Sequence, residues 1–429
     1  MKFVLAILSI CLLSCSDDFL EEYLDSDARN QSREHLSVGV SNAVKKAYQM
    51  TDLYFTPVQI IEGNRNLIYY ANIEYQGLIY SSVKEIGTYV GNYVSFHTFM
   101  TAIHNPRSKI YTERIDSSPF HGINCKAYYG TMCSGLVSYA LGIDLATFDF
   151  PVSESMDEVD RNIDSIQIAD VLWSEYHVAL ITDIIKDEHN HVKGVEISEA
   201  VQSGCRRYAL TISQFNSLVF SSFDKIYRYK YLEKNVDYCP VPEFVAVFDE
   251  TPSTYVYNND LCADKGDKAC YREDEDIVIN IMRDYDYLDV YKDGEHYLRI
   301  DTTSDMDVNL HRLPYGDYRA TISYGDSLVE SEPTYWKVVN MELKPDQDAG
   351  RLYFKSANAI PYRMSFTDLS GSRKYPFTQV FSYTFTDEDR SRGYIDIPKE
   401  KTKRGIPYIH FFFSTDYGII QNKIIDWFE

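Results

Sequence analysis

From Pro242 onward the chain breaks into short runs of alternating apolar and polar residues separated by turn formers, a pattern that suits strands and little else. The runs fall at 277–282, 288–291, 296–300 and 318–324, then at 351–355, 362–368, 379–386 and 408–414. Such spacing predicts β-sandwich architecture, either as two sandwiches or as one larger one. The whole chain has 429 residues, too many for a single hydrophobic core, so two or three domains are expected.

The part before Pro242 has a different texture, with helical and strand patterns mixed. Residues 34–50 place Leu36, Val40, Ala43, Val44 and Ala47 on one helical side. Further on, Tyr129-Gly130-Thr131-Met132-Cys133-Ser134-Gly135-Leu136-Val137 leads into a short amphipathic helix with Gly142 as its stop. Cys133 then sits in the first turn, where N–H groups and the positive end of the helix dipole favour a thiolate. The run 176–184 reads as a buried strand with His177 near its start, followed by the polar turn 186–191. A returning run, 192–200, carries Glu196 and Glu199. Thiol, imidazole and carboxylate in that order form the arrangement in which a base activates a nucleophile and a third group orients the base. Period-two alternation puts Glu196 and Glu199 on opposite faces, so only one of them addresses His177.

These segments resemble the NlpC/P60 superfamily of papain-like cysteine hydrolases. Cys133-Ser134-Gly135-Leu136-Val137 is similar to its Cys-Ser-Gly-Leu/Phe-Val motif, and His177-Val178-Ala179-Leu180 to its His-Val-Gly-Ile/Leu strand. Asp170-Val171-Leu172 resembles the Gly-Asp-Leu/Val turn, Ile197-Ser198-Glu199-Ala200 the segment with the third polar residue, and Gly77-Leu78-Ile79-Tyr80-Ser81 the Gly-x-Pro-Tyr segment. The likeness covers roughly residues 75–230. Met132 stands where the family has Asp, Ala169 where it has Gly, and Glu199 where it more often has His, Asn or Gln. The interval between Tyr80 and Cys133 is long for the family and implies an insertion over 83–131. The resemblance implies an α+β fold with a papain-like catalytic domain, Cys133 as nucleophile, His177 as base and Glu199 as orienting group. It also implies that Tyr80, Ser81, Ser134 and Asp170 meet the substrate, an amide bond in cell-wall peptidoglycan stem peptides. Neither cofactor nor metal is expected.

The bland reading of each residue is a core thiol, a satisfied histidine or a solvated carboxylate. His189 and His191 beside Asp187 and Glu188 read as a polar hairpin tip and not as a metal site. His97, His104 and His121 fall within the insertion. Of the cysteines at 125, 133, 205, 239, 262 and 270, the spacing of Cys262 and Cys270 permits a disulfide in an oxidising compartment, whereas Cys133 is expected to be free.

Residues 1–14 read as a secretory signal: Lys2 precedes an apolar run too short to span a bilayer. Leu12-Leu13-Ser14-Cys15 resembles a lipobox with Cys15 as the lipidated residue, and the acidic tether 15–32 resembles the export signal of Bacteroidetes surface lipoproteins. The expected location is the outer membrane, with the cell surface as the expected side, and the lipid as the membrane contact. A formal charge of -22 argues against nucleic-acid partners. Leu313-Pro314-Tyr315-Gly316-Asp317-Tyr318 resembles the tyrosine corner of immunoglobulin-like and fibronectin-like folds. The expected organisation is a hydrolase domain over 33–240, an Ig-like β-sandwich over 241–348 and a second β domain over 349–429. The competing expectation is an inert surface binding or adhesion lipoprotein whose β domains hold a glycan or a protein.

Overall fold

Ser37 opens the first helix by accepting a hydrogen bond from the Val40 N–H at 3.3 Å, and Ala43, Val44, Ala47 and Met50 bury one face of α1 (Val38–Thr51). The structure is a computed structural model that describes residues 36–63, 67–81, 89–113, 127–143, 145, 147–151, 153, 155–187, 189, 191–232, 258, 260–265, 267–301, 306–325, 328–368, 378–397, 408–421 and 425–426. The expected signal (1–14), Cys15 and the expected tether (15–32) lie outside the described residues, as do Cys125, Cys239 and His121. Serine caps also open α2 (Phe96–His104) and α3 (Lys109–Thr112). By contrast, α4 (Cys133–Leu141) has no side-chain cap at Met132. It ends at Gly142, whose φ of 68° lets its N–H reach the Ser138 and Tyr139 carbonyls. Every residue of α4 is buried, so this is an interior helix.

Four two-residue strands, β1 (Tyr54–Phe55), β2 (Ile61–Glu62), β3 (Ile68–Tyr69) and β4 (Tyr75–Gln76), pair as β1 with β4 and β2 with β3. The main sheet of the first part comprises β5 (Met156–Val159), β6 (Val171–Ser174), β7 (His177–Lys186), β8 (Val192–Val201), β9 (Gly204–Thr211) and β10 (Lys225–Tyr229). It is antiparallel throughout, in the order β5-β10-β6-β7-β8-β9. Val171, Val178 and Leu180 join the core formed with α1, α2 and α4. Their neighbours Leu172, Ala179 and Ile181 join a second core under α5 (Ile212–Ser222). The strict alternation is what lets one sheet serve two cores.

The second part packs a three-stranded sheet, β11 (Leu261–Ala263), β13 (Ile277–Ile281) and β16 (Asp307–Leu310), against a larger one. The larger sheet holds β12 (Ala269–Arg272), β14 (Tyr287–Lys292), β15 (Glu295–Asp301), β17 (Gly316–Tyr324), β18 (Val329–Glu330) and β19 (Thr334–Val339). Tyr318 donates its hydroxyl to the Pro314 carbonyl at 2.6 Å and stacks on buried Trp336, tying strand to turn. A third part has its own core around Leu352, Phe354, Phe385 and Phe411. It is built from β20 (Glu342–Asp346), β21 (Arg351–Lys355), β22 (Ile360–Asp368), β23 (Thr378–Thr384), α6 (Asp387–Arg392), β24 (Tyr394–Asp396), β25 (Tyr408–Thr415), β26 (Gly418–Gln421) and β27 (Ile425–Asp426). Because β20 pairs with β21, residues 342–346 go with this third part.

The expected fold class, α+β with a papain-like catalytic domain, is corrected here. Strands predominate and the described helices are few and short, so the chain is mostly β and sandwich-like. The physical reason is that motifs of four or five residues specify a local helix or strand, whereas fold class follows the balance of elements over the whole chain. Among the described residues no helix is long and apolar enough to cross a membrane.

Candidate active site

Two glycines bring the start of α4 against its neighbours. A Cβ at Gly130 would lie 2.4 Å from the Ile79 carbonyl oxygen, and one at Gly135 would lie 2.3 Å from Thr131 Oγ1. Only glycine therefore lets the 129–131 segment run beside 79–81, where Thr131 N–H donates to Ile79 O at 3.0 Å and Ser81 N–H to Thr131 O at 2.9 Å. This docking fixes the chain just ahead of Cys133. The thiol is buried, and its Sγ lies 3.6 Å from Thr147 Oγ1.

His177, the first residue of β7, meets Cys133 from the sheet side. Its Nε2 lies 2.6 Å from Glu199 Oε2. The ring stacks on Phe223, which buries one face while 27% of the side chain stays exposed. Glu199 is 5% exposed and also accepts from Arg206 Nε at 2.9 Å, Arg206 Nη2 at 2.6 Å and Tyr208 Oη at 3.1 Å.

The electrostatics follow from those contacts. Burial pushes the Cys133 thiol up, but the His177 hydrogen bond and charge, the Thr147 hydroxyl and the Val178 N–H together bring it below the ordinary thiol value. Burial pulls His177 down, yet contact with Cys133 and Glu199 outweighs it and raises the imidazole to about 10. Burial raises Glu199, and His177 and Arg206 reverse this to about 2. The three shifts run in one direction, toward thiolate, imidazolium and carboxylate in sequence.

The structure thus joins Cys133, His177 and Glu199. Glu196 points to the other face, where it accepts from Thr182, Arg207 and Tyr48 and anchors α1 to the sheet. Tyr80 is half-buried in the segment beside Thr131, and Ser134 is buried in the first turn of α4. Ser81 is fully buried and donates its hydroxyl to the Ala127 carbonyl at 3.1 Å. Asp170, 1% exposed, accepts two bonds from Arg228 and one from the Gln167 N–H, each at 2.7 Å, which holds the turn before β6. Ala169 has a φ of 74°, a left-handed backbone conformation that favours glycine.

Cys262 and Cys270 lie on strands of different sheets, and both are free thiols, as is Cys133. His97 faces Asp267 of the second part at 3.1 Å, and His104 is lowered by burial. His189 and His191 lie at a hairpin tip where their N–H groups donate to Asp187. Among the described residues no group of three or more potential ligands is placed to hold a metal.

Sequence reasoning missed Thr147, Arg206, Tyr208 and the aromatic wall beyond Met132. Arg206 stands directly across from Glu199 in the β8–β9 register, and Tyr208 is two residues along on the same face. That cross-strand signal becomes readable only once the hairpin is assigned. Met132 packs with Tyr89, Tyr93, Tyr362 and Phe412, the last two from the third part, and Tyr93 stacks on Phe412 at 5.5 Å.

No protein-family model matches the chain. No curated protein matches it either. Among solved structures it is similar to fibronectin(III)-like modules of Clostridium thermocellum CbhA, at 12% identity over 38% of this chain and 90% of that chain, with a TM-score of 0.18. It is also similar to the CD2-binding domain of CD58 (lymphocyte function-associated antigen 3), at 6% identity over 37% of this chain and 96% of that one, with a TM-score of 0.17. Scores this low carry nothing about function.

Proposed function

We propose that the chain is a cysteine hydrolase that cleaves an amide bond, with cell-wall stem peptides as its substrate class. The observation that supports this most is the relay from a thiol at a helix start, through His177, to a buried carboxylate 2.6 Å away. In the proposed reaction the Cys133 thiolate adds to the amide carbonyl carbon, forming a C–S bond, while N–H groups at the start of α4 receive the charge on oxygen. The imidazolium of His177 gives its proton to the departing nitrogen as the C–N bond breaks, leaving a thioester and a free amine. His177 then takes a proton from water, whose oxygen adds to the thioester carbon. Collapse breaks the C–S bond, releases the acid and restores the thiolate–imidazolium pair. Glu199 holds the ring and stabilises its cation throughout. The stem-peptide assignment rests on the NlpC/P60-like motifs around Cys133 and His177.

The thiols offer an internal control. Burial pushes Cys205 and Cys262 well above the usual thiol range and Cys270 up to about 12. In native protein at neutral pH, iodoacetamide should alkylate Cys133 far faster than these three, read peptide by peptide by mass spectrometry. Equal, slow alkylation of all four would support the inert adhesion reading instead. The proposal includes a lipid anchor at Cys15: Cys15→Ala should move the protein out of the membrane fraction, and retention there would remove the anchor from the account.

A further inference from the structure

We infer that Arg206 is a positioning residue for the catalytic relay: it fixes Glu199 against His177, with Tyr208 as its neutral partner. The inference rests on the thiol–imidazole reading above and extends it by one element of the sheet. Arg206 reaches a single carboxylate oxygen, Oε1, with both Nε and Nη2, while Tyr208 Oη approaches the same oxygen at 3.1 Å. Glu199 therefore presents its other oxygen, Oε2, to His177 alone. The guanidinium fork holds Oε1 beside Tyr208 and adds a positive charge next to a carboxylate that is 5% exposed. Arg206 is itself 45% exposed and leans over the Tyr208 ring at 5.2 Å, so its charge is available without a large burial cost.

The charged and titratable groups around Glu199 come from three elements: His177 on β7, Arg206 and Tyr208 on β9, and, through His177, Cys133 on α4. Of the helices packed against both β8 and β9, α5 carries no titratable side chain, and α1, which carries Lys45, Lys46 and Tyr48, lies on the opposite face, where Tyr48 bonds Glu196. Arg206 is thus the cation that acts on the relay from the β9 side. Removing one positive charge should raise every proton affinity nearby, whereas removing a neutral hydroxyl should not.

The test is the rate of Cys133 alkylation by iodoacetamide between pH 3 and 11 in the full chain, which needs no substrate. In wild type the rate should rise twice: first where the thiolate–imidazolium pair forms, and again where the imidazolium loses its proton. Arg206→Met should move both rises upward by about half a pH unit, the size expected of one partly exposed charge. Arg206→Lys should hold them near wild type, and Tyr208→Phe should leave their positions unchanged while slowing hydrolysis of a stem peptide. Rises that stay in place in Arg206→Met, or that move as far in Arg206→Lys, would overturn the inference while leaving the hydrolase reading intact. A wild-type curve with no low-pH rise would overturn both.

Discussion

Replacing Glu199 by Gln keeps the volume of the third residue and removes its charge, which isolates what the carboxylate does. Glu199 accepts four hydrogen bonds from His177, Arg206 and Tyr208, and its bond to the imidazole is 2.6 Å long. A hydrogen bond to a charged group contributes about 1.5 to 3 kcal/mol, or about one to two pH units in the affinity of His177 for its proton. His177 stands near 10 in the native chain, so the pH at which the imidazolium is lost should fall by that amount in Glu199→Gln. The direction is opposite to that of Arg206→Met, because one variant removes a negative charge and the other a positive one. The second rise in the alkylation rate of Cys133 reports it. A second consequence is in stability. The Glu199 carboxyl is depressed from 4.5 to about 2, so it stabilises the fold fully above pH 4.5 and that contribution is lost as pH falls toward 2. Its size is on the order of 3 kcal/mol. Thermal melts of wild type should therefore decline more steeply over that window than those of Glu199→Gln. An imidazolium loss that stays in place, together with parallel melting curves, would refute the carboxylate's role in the relay.

Two further substitutions test the local physics. Ala169→Gly should leave the melting temperature close to that of wild type, because relief of a left-handed φ of 74°, about 1 kcal/mol, is offset by the loss of a buried methyl and by the freer unfolded chain. Tyr318→Phe should cost about 1 kcal/mol in denaturant unfolding, since it removes the 2.6 Å bond to Pro314 O and keeps the stack on Trp336.

What was legible in the sequence is what local periodicity controls. The start of α4 at Cys133 and its stop at Gly142 follow from apolar spacing and a glycine terminator, and the alternating runs after Pro242 coincide closely with strands such as Arg351–Lys355 and Tyr408–Thr415. Period-two alternation correctly separates Glu196 from Glu199 on the two faces of β8, with Glu199 on the side of His177. What was not legible depends on contacts distant in sequence. Arg206 and Tyr208 enter only through the β8–β9 register, and Thr147 only through the loop that returns after Gly142. Phe412 reaches Met132 across well over half of the chain. Fold class was not legible for a related reason: a few motif residues set local elements, whereas the class follows the strands, which outnumber the helices among the described elements.

The most direct measurement of the central claim is a digest of purified stem peptides by the full chain and its Cys133→Ala and His177→Ala variants, with products read by mass spectrometry. The account predicts new amine and acid termini with wild type, none with Cys133→Ala, and a loss of at least about a hundredfold with His177→Ala, because a thiol without its base loses most of its reactivity at neutral pH. Full activity in Cys133→Ala would contradict it.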